Sequence, residues 1–435
     1  MFVKRPQDSE NSGLLAIYPV PSVDLKDIRV EGRTAVVVGA GPGGLIAALT
    51  IKQEGYENVI VLEKRRCFTR MNIVNLHPES RGVLQRLGLF DAFLDIASRL
   101  TDHDNHVFVN GVEMFDFHDL GTDVAVNPEQ PFDADDVING FNNQTLYSVS
   151  LADLQNMLAH AARERGIRIL SPAHARLIPG SDGHYSVMVQ TEDSPDTVTL
   201  VAPKLIVLAE GAKGEVFRAL GGDYAHGESF CPNENWVFGN YKCHPTHGFS
   251  HLLFEFAEDC ETLTISNCIF LPGKNEVNVA VTVDDPEIDG ARIKALIAAQ
   301  ARKAMAAAGV PCTRHEVVWH SNHAVRIAPK SASRCHFGRN VVLAGDAAGS
   351  NSPVAALGCT LGTSAYSFAL RRLLLDLEAD PEAALARYDF LATTYVTRWH
   401  DKVAEIRRSV QADIRDKTRR LAAAMRNEDL MMEAA

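Results

Sequence analysis

The sequence predicts an α/β fold, in which a doubly wound parallel-sheet domain is interrupted by a smaller β-sheet domain and followed by C-terminal helices. Three observations predict it. An apolar run ends in glycines and opens a helix at 34–53, "TAVVVGAGPGGLIAALTIKQ". A second run with the same ending, "NVVLAGDAAG", returns at 340–349. Between them, 235–283 changes to shorter β-like runs separated by turns, the mark of an antiparallel sheet. Uninterrupted apolar strands belong to parallel sheets covered on both faces.

The chain has 435 residues, 46% hydrophobic and 23% charged, which reads as a globular protein of two or three domains. A formal net charge of −12 argues against a nucleic-acid partner, since phosphates would be repelled. The eight cysteines include no CxxC pair, as expected of reduced thiols in a cytoplasmic protein. "MFVKRPQDSENSG" lacks the apolar core of a signal peptide. The longest apolar stretch, 35–51, is short and carries a Gly-Pro-Gly-Gly turn, so no membrane span is expected.

In chain order, residues 1–30 read as an arm. "RTAVVVGA" is the first buried strand, a helix follows from Gly43 to about Gln53, and "NVIVLEK" is the second strand. "PESRGVLQRLGLFDAFLDIASRL" reads as helical with a break at Gly88, and "HVFVNG" and "VEMFDF" as short strands. "SLADLQNMLAHAARERG" is a helix that Ser150 can cap and Gly166 stops. "LIVLAEGAKG" is another buried strand. "NWVFGNYKC", "HLLFEFAED", "TLTISNCIFL" and "EVNVAVTVDD" form the antiparallel sheet, which a helix around 288–308 covers and to which "RHEVVWHSN" adds a strand. A long helix from about Ala355 to Leu377 and a charged helical tail from Pro381 complete the chain. There is no internal repeat.

Gly39, Gly41 and Gly44 fit GxGxxG in its proper setting. The first glycine allows the tight turn, the second lets the backbone approach a pyrophosphate, and the third lets helix pack on strand. The helix start offers free N–H groups and positive dipole to phosphates. Glu63 ends the second strand, where a carboxylate can accept an adenosine ribose. The second unit separates a flavin from a nicotinamide. Asp346 at a strand end suits ribityl hydroxyls, and Gly358 and Gly362 let a flat ring approach. The helix start beyond Pro353 would face the edge where a reduced flavin gathers negative charge.

"GRNVVLAGDAAGSNSPVAALGCTLG" resembles the GDAA…P…G…G segment of the class A flavoprotein monooxygenases, the p-hydroxybenzoate hydroxylase-like group, over residues 33 to 378. "RMNIVNLHPESRGVLQRLG" is similar to a segment of the flavin domain of the MICAL monooxygenases. The resemblance implies a glutathione-reductase-type FAD-binding Rossmann domain over 31–105, 147–222 and 326–378. It implies a substrate domain over 106–146 and 223–325, and a helical tail over 379–435. It carries FAD contacts to Gly39, Gly41, Gly44, Glu63, Lys64, Arg70, Asn72, Asp346, Pro353, Gly358, Cys359 and Thr360. The activity implied is transfer of one oxygen atom from O2 to an organic, commonly aromatic, substrate through a flavin hydroperoxide. The substrate can be peptide- or carrier-bound. The electrons come from NADH, NADPH or a separate reductase.

The chain departs from the family in its middle motif. Glu210 stands for Asp and Gly214 for Ser in "EGAKGEVFR", and Arg218 is displaced by one position. Leu151 stands where an Arg is common, and Cys359-Thr360 where Asn follows the glycine. Cys243, His244, His247 and His251 could suggest a metal, but strand alternation would scatter them, so none is expected. No acid or base is singled out, His320 and His323 included. Other readings are a geranylgeranyl-reductase type of enzyme, a halogenase (though WxWxIP is absent), or a GDI-like escort protein.

Overall fold

The computed structural model describes residues 18–20, 22, 24, 32–68, 70, 72–99, 104–116, 147–192, 197–200, 202–227, 235–243, 249–256, 263–271, 276–310, 316–351, 358–398 and 400–401, with single positions 404, 408, 412, 416 and 420. They divide into two compact units. One draws on 1–102, 119–227 and 327–398, the other on 103–118, 228–326 and 399–435. Most of the arm, and most of the tail beyond residue 401, lie outside the described residues.

The first unit is built on a six-stranded sheet. Its elements are β1 (Thr34–Val38), α1 (Pro42–Gln53), β2 (Asn58–Leu62), α2 (Leu151–Glu164), β3 (Arg168–Leu170), β4 (Leu205–Leu208), β5 (His336–Phe337), β6 (Val341–Leu343) and α3 (Tyr366–Asp376). The strand order is β3-β2-β1-β4-β6-β5, with only β5 antiparallel to its neighbour. Valines 36 and 37, Val59 to Val61 and Leu205 to Leu208 are completely buried, which explains the unbroken apolar runs. Helix α1 starts on Pro42, where a missing N–H costs nothing, and packs against α2 and α3. Its residues Gly44 to Ile51 are all buried, so these two turns are covered on every side, with Thr50 bonded to the Ser367 hydroxyl at 3.0 Å.

Four features differ from the sequence reading. Ser150 occupies the N-cap position of α2, but its hydroxyl makes no cap bond and has no hydrogen-bond partner. Ser150 also ends the strand Tyr147–Ser150, paired with Ile73, and that pairing sets its side-chain direction. Ser150→Ala should therefore change stability by less than about 0.5 kcal/mol in denaturant unfolding, where loss of a working cap costs about 1. The stretch after Gly88 is helical only over Phe90–Leu94, and Ala97–Arg99 is a strand beside Tyr147–Ser150. Residues 173–200 contain an antiparallel meander of Ala173–Pro179, Tyr185–Thr191 and Thr197–Leu200 that the reading passes over. The long helix is not uniformly α: a π segment, Leu361–Ala365, separates Gly358–Thr360 from α3.

Residues 381–398 are helical. They are tied to the β5–β6 edge by Tyr388, which donates to the Leu343 carbonyl, and by Asp389, which accepts the Cys335 N–H.

The second unit is an eight-stranded sheet. Its main path runs Glu316–His320, Asn235–Lys242, Glu276–Thr282, Leu263–Leu271, Phe249–Phe256, Asp104–Val109, Val112–Asp116, and Val325–Arg326 pairs beside Asn235–Lys242. The four expected strands are antiparallel, whereas Asp104–Val109 joins Phe249–Phe256 in parallel. Helix Gly290–Ala307, capped by Asp289 through the Arg292 N–H at 2.8 Å, lays Ile293, Ile297, Ala301 and Ala304 into the core with Val237, Phe249, Val279 and Val281. No helix among the described residues is long and apolar enough to cross a membrane.

Candidate cofactor site

At the end of β1 the chain turns sharply, and each glycine of the turn meets something different. Gly39 has φ +109°, and a Cβ there would lie 2.3 Å from the Ala209 carbonyl at the end of β4. A Cβ on Gly44 would lie 2.0 Å from the Gly39 carbonyl, so this glycine serves the close contact of helix and turn. A Cβ on Gly41 would meet nothing within 4 Å. The protein itself has no need of that bareness, which leaves open backbone beside the start of α1.

Glu63 does more than the sequence indicates. One carboxylate oxygen accepts the Ala40 N–H at 2.8 Å, and the other accepts the Arg65 N–H at 2.8 Å. Gln155 of α2 donates to the Ala40 carbonyl at 3.1 Å. The buried Glu63 thus fixes the glycine turn, while each oxygen keeps a second lone pair for a ligand. Lys64 pairs with Glu215 at 3.0 Å and holds its carboxyl below the usual range.

The second bend follows β6. Gly345, at φ +60°, opens a single 3-10 turn, Gly345–Ala347. This bend and the first are neighbours. A Cβ on Gly43 would lie 3.1 Å from the Gly362 carbonyl and 3.4 Å from the Gly345 Cα, and one on Gly362 would lie 3.9 Å from the Gly345 Cα. Three glycines from the first turn, the second bend and the π segment therefore meet backbone to backbone.

Asp346 is partly buried on this bend. Burial raises its carboxyl pKa, and the charges of Arg70 and Lys330 act the other way. The Cys359 thiol is pushed up to about 12, by burial first and then by Asp346, so it stays a neutral thiol. Thr360 is completely buried, and its Oγ1 accepts the His77 N–H at 3.1 Å. That hydroxyl ties His77, just past the strand Ile73–Leu76, to the helix start, and the Cys359 and Thr360 carbonyls accept the Thr363 and Ser364 hydroxyls. Ser80 and Thr363 hydroxyls, 2.7 Å apart, make a second such tie. Arg70 is exposed, and Asn72 is half-buried with its carbonyl accepting the Leu151 N–H at 2.9 Å. Pro353 lies outside the described residues.

The departures in the middle motif have local causes. Glu210 reaches two backbone N–H groups, Val216 and Phe217, both at 2.8 Å, and so caps the short helix Glu215–Ala219. Gly214 has φ +55°, and a Cβ there would lie 2.2 Å from the Tyr224 hydroxyl, so a serine would collide with this ring. The Tyr224 hydroxyl donates to the Ala347 carbonyl at 3.1 Å.

The histidine-rich stretch is divided. His251 is fully buried, with Nδ1 3.1 Å from the Ala304 carbonyl and rings of His106, Phe108 and Phe249 around it. Cys243 belongs to the apolar core, and His244 and His247 lie outside the described residues. His320 Nδ1 lies 2.9 Å from the Ser321 carbonyl. Among the described residues no group of three His, Cys, Asp or Glu could hold a metal ion.

FAD fits this arrangement on two observations. The backbone is bare at Gly41, where only a ligand would use the space. Two buried polar side chains near the second bend have no hydrogen-bond partner: the Asn351 amide, with both its oxygen and nitrogen orphaned, and the Tyr366 hydroxyl. Such groups are uncommon in a folded chain and are expected where a ligand completes them.

Comparison with known proteins agrees. No curated protein matches the chain in sequence. Among solved structures, p-nitrophenol 4-monooxygenase from Pseudomonas putida DLL-E4 superposes with a TM-score of 0.67 at 19% identity, over 92% of this chain and 98% of that one. Aklavinone-11 hydroxylase, solved with FAD and aklavinone, gives 0.61 at 18% identity, over 81% and 64%. A peptidyl tryptophan dihydroxylase of tryptophylquinone cofactor biogenesis gives 0.57 at 19%, over 87% and 75%. These likenesses show the shared fold. The family model described as "FAD binding domain" matches residues 33–400. On that match, the chain belongs to the FAD-binding family of p-hydroxybenzoate hydroxylase-like flavoprotein monooxygenases.

Proposed function

We propose that the chain is an FAD-dependent monooxygenase that transfers one oxygen atom from O2 to an organic, aromatic substrate, with NADH or NADPH as electron source. The observation that carries this reading is the meeting of Gly43, Gly345 and Gly362, which brings two widely separated bends into one bed beside Asp346. In this reading the turn at Gly39, Gly41 and Gly44 takes the pyrophosphate on the start of α1. Glu63 takes the adenosine ribose with its spare lone pairs, and Asp346 the ribityl hydroxyls. The backbone at Gly358, Cys359 and Thr360 takes the ring edge, with Lys64, Arg70, Asn72 and Pro353 bordering the cofactor. Bound and reduced, FAD supplies the chemistry with O2; the chain binds it, orients it and keeps water away.

The names of these relatives give a nitrophenol, aklavinone and a peptidyl tryptophan as what they act on. An aromatic ring is common to the three, which supports an aromatic substrate here, free or peptide-borne. The substrate domain assigned to 106–146 and 223–325 is part of the same proposal.

The test uses purified protein carrying FAD. Expected results are NADH or NADPH oxidation stimulated by an aromatic substrate, and one oxygen atom from labelled O2 in the product. Reduction of a substrate double bond without oxygen uptake would replace this reading with the reductase one. A colourless protein that takes up no FAD would overturn both.

A further inference from the structure

Lys330 is a buried cation to which the reading above gives no task. It is 8% exposed, on the strand Lys330–Ala332 that pairs with Tyr224–His226 on one side and Gly349–Ser350 on the other. Its Nζ donates to the Ala212 carbonyl in the middle motif and lies 3.8 Å from the centre of the Tyr224 ring. Tyr224 in turn holds the Ala347 carbonyl, next to Asp346, and the Ala332 N–H holds the Ala348 carbonyl at 2.8 Å. Lys330 is therefore fastened against the bend that carries Asp346.

A carbonyl and a ring offset only part of the cost of taking an ammonium out of water. Burial and the charge of Arg218 push the Lys330 pKa down, and Asp346 acts in the other direction. Among the described residues, the titratable groups that interact electrostatically with Asp346 are Arg70, Lys330, Tyr224, Cys359 and Tyr366. Burial raises the pKa values of the last three and keeps them neutral, so among the described residues the two cations are what can balance a carboxylate there. Arg70 is exposed and screened by salt, whereas Lys330 is buried and screened far less.

We propose that Lys330 is a positioning residue for FAD: clamped between the Ala212 carbonyl and the Tyr224 ring, it is the counter-charge that keeps Asp346 a carboxylate when the ribityl hydroxyls arrive. The inference rests on the flavoprotein reading and adds a residue that acts through Asp346. It also gives the Gly214 substitution a purpose, because the bare glycine makes room for the ring on which the ammonium sits.

The test follows FAD binding by flavin fluorescence from about pH 6 to about pH 8.5. In the wild-type protein the Kd should vary less than about threefold. Lys330→Gln keeps a donor for Ala212 but removes the charge. Its Kd should rise about tenfold for each unit the pH falls below the new Asp346 pKa, because binding then includes losing a proton. Lys330→Arg should restore the flat profile, and Lys330→Gln in an Asp346→Asn background should add no pH dependence. Lys330→Met should repeat the pH dependence with a lower unfolding temperature; should it fail to fold, Lys330→Gln decides. A flat profile in Lys330→Gln, at any affinity, overturns the inference while leaving the flavoprotein reading intact. A wild-type protein that takes up no FAD overturns both.

Discussion

Asp346→Ala should weaken FAD binding and keep its fold. The carboxylate stands on the bend after β6, where burial raises its pKa. A carboxyl whose folded value lies above its unfolded one opposes folding at neutral pH. That cost is full above the folded pKa and fades as the pH falls through it. Replacing Asp346 by alanine removes the cost, so the protein without FAD should unfold at the same denaturant concentration as wild type or a higher one. The cofactor should respond in the opposite sense. Hydrogen bonds from hydroxyls to a charged acceptor contribute about 1.5–3 kcal/mol, and losing them weakens FAD about 10- to 100-fold. Flavin fluorescence titration and denaturant unfolding on one preparation measure both. Wild-type FAD affinity would remove Asp346 from the cofactor site.

Gly41→Ala and Gly44→Ala should separate the two uses of a glycine within one turn. At Gly44 the added methyl would stand 2.0 Å from a backbone oxygen, so turn and helix must part. An overpacked core of this kind costs about 3 kcal/mol, and FAD binding should fail with it. At Gly41 the methyl enters open space at an ordinary φ of −67°. Stability should stay within about 0.5 kcal/mol of wild type, yet FAD should weaken about 100-fold, because the methyl occupies the space given to the pyrophosphate. Equal FAD binding by Gly41→Ala and wild type would show that no ligand uses this backbone.

How much was legible follows from the range of each interaction. The β1 turn, Glu63 and the bend at Asp346 could be read because each is a short pattern tied to one local conformation. The meeting of Gly43 with Gly345 and Gly362 could not, since a glycine's neighbour far along the chain leaves no local mark. Glu63 was legible as an acid but not as the acceptor of the Ala40 and Arg65 N–H groups, which depends on how the turn folds back. Ser150 looked like a cap because serine before a helix usually is one, and strand pairing with Ile73 overrode that preference. That the Thr360 hydroxyl accepts the His77 N–H could not be read, since the two are far apart in the chain. The 173–200 meander has a signal that the reading passes over, the alternation that buries Val187 and Val189. Lys330 carries no motif, and only its burial brings it to notice.

The contact among the three glycines also has a bearing on biosynthesis. The first turn emerges from the ribosome early, but the partners that complete it, Gly345 and Gly362, are translated in the last quarter of the chain, just before the helical segment 381–398 that straps the β5–β6 edge. Until that stretch is free, a nascent polypeptide has only one of the two bends that the proposed site uses, and closing so long a loop is slow. On the proposed function, FAD uptake should therefore wait until residue 362 has been made, and fragments that stop upstream of residue 345 should take up no FAD.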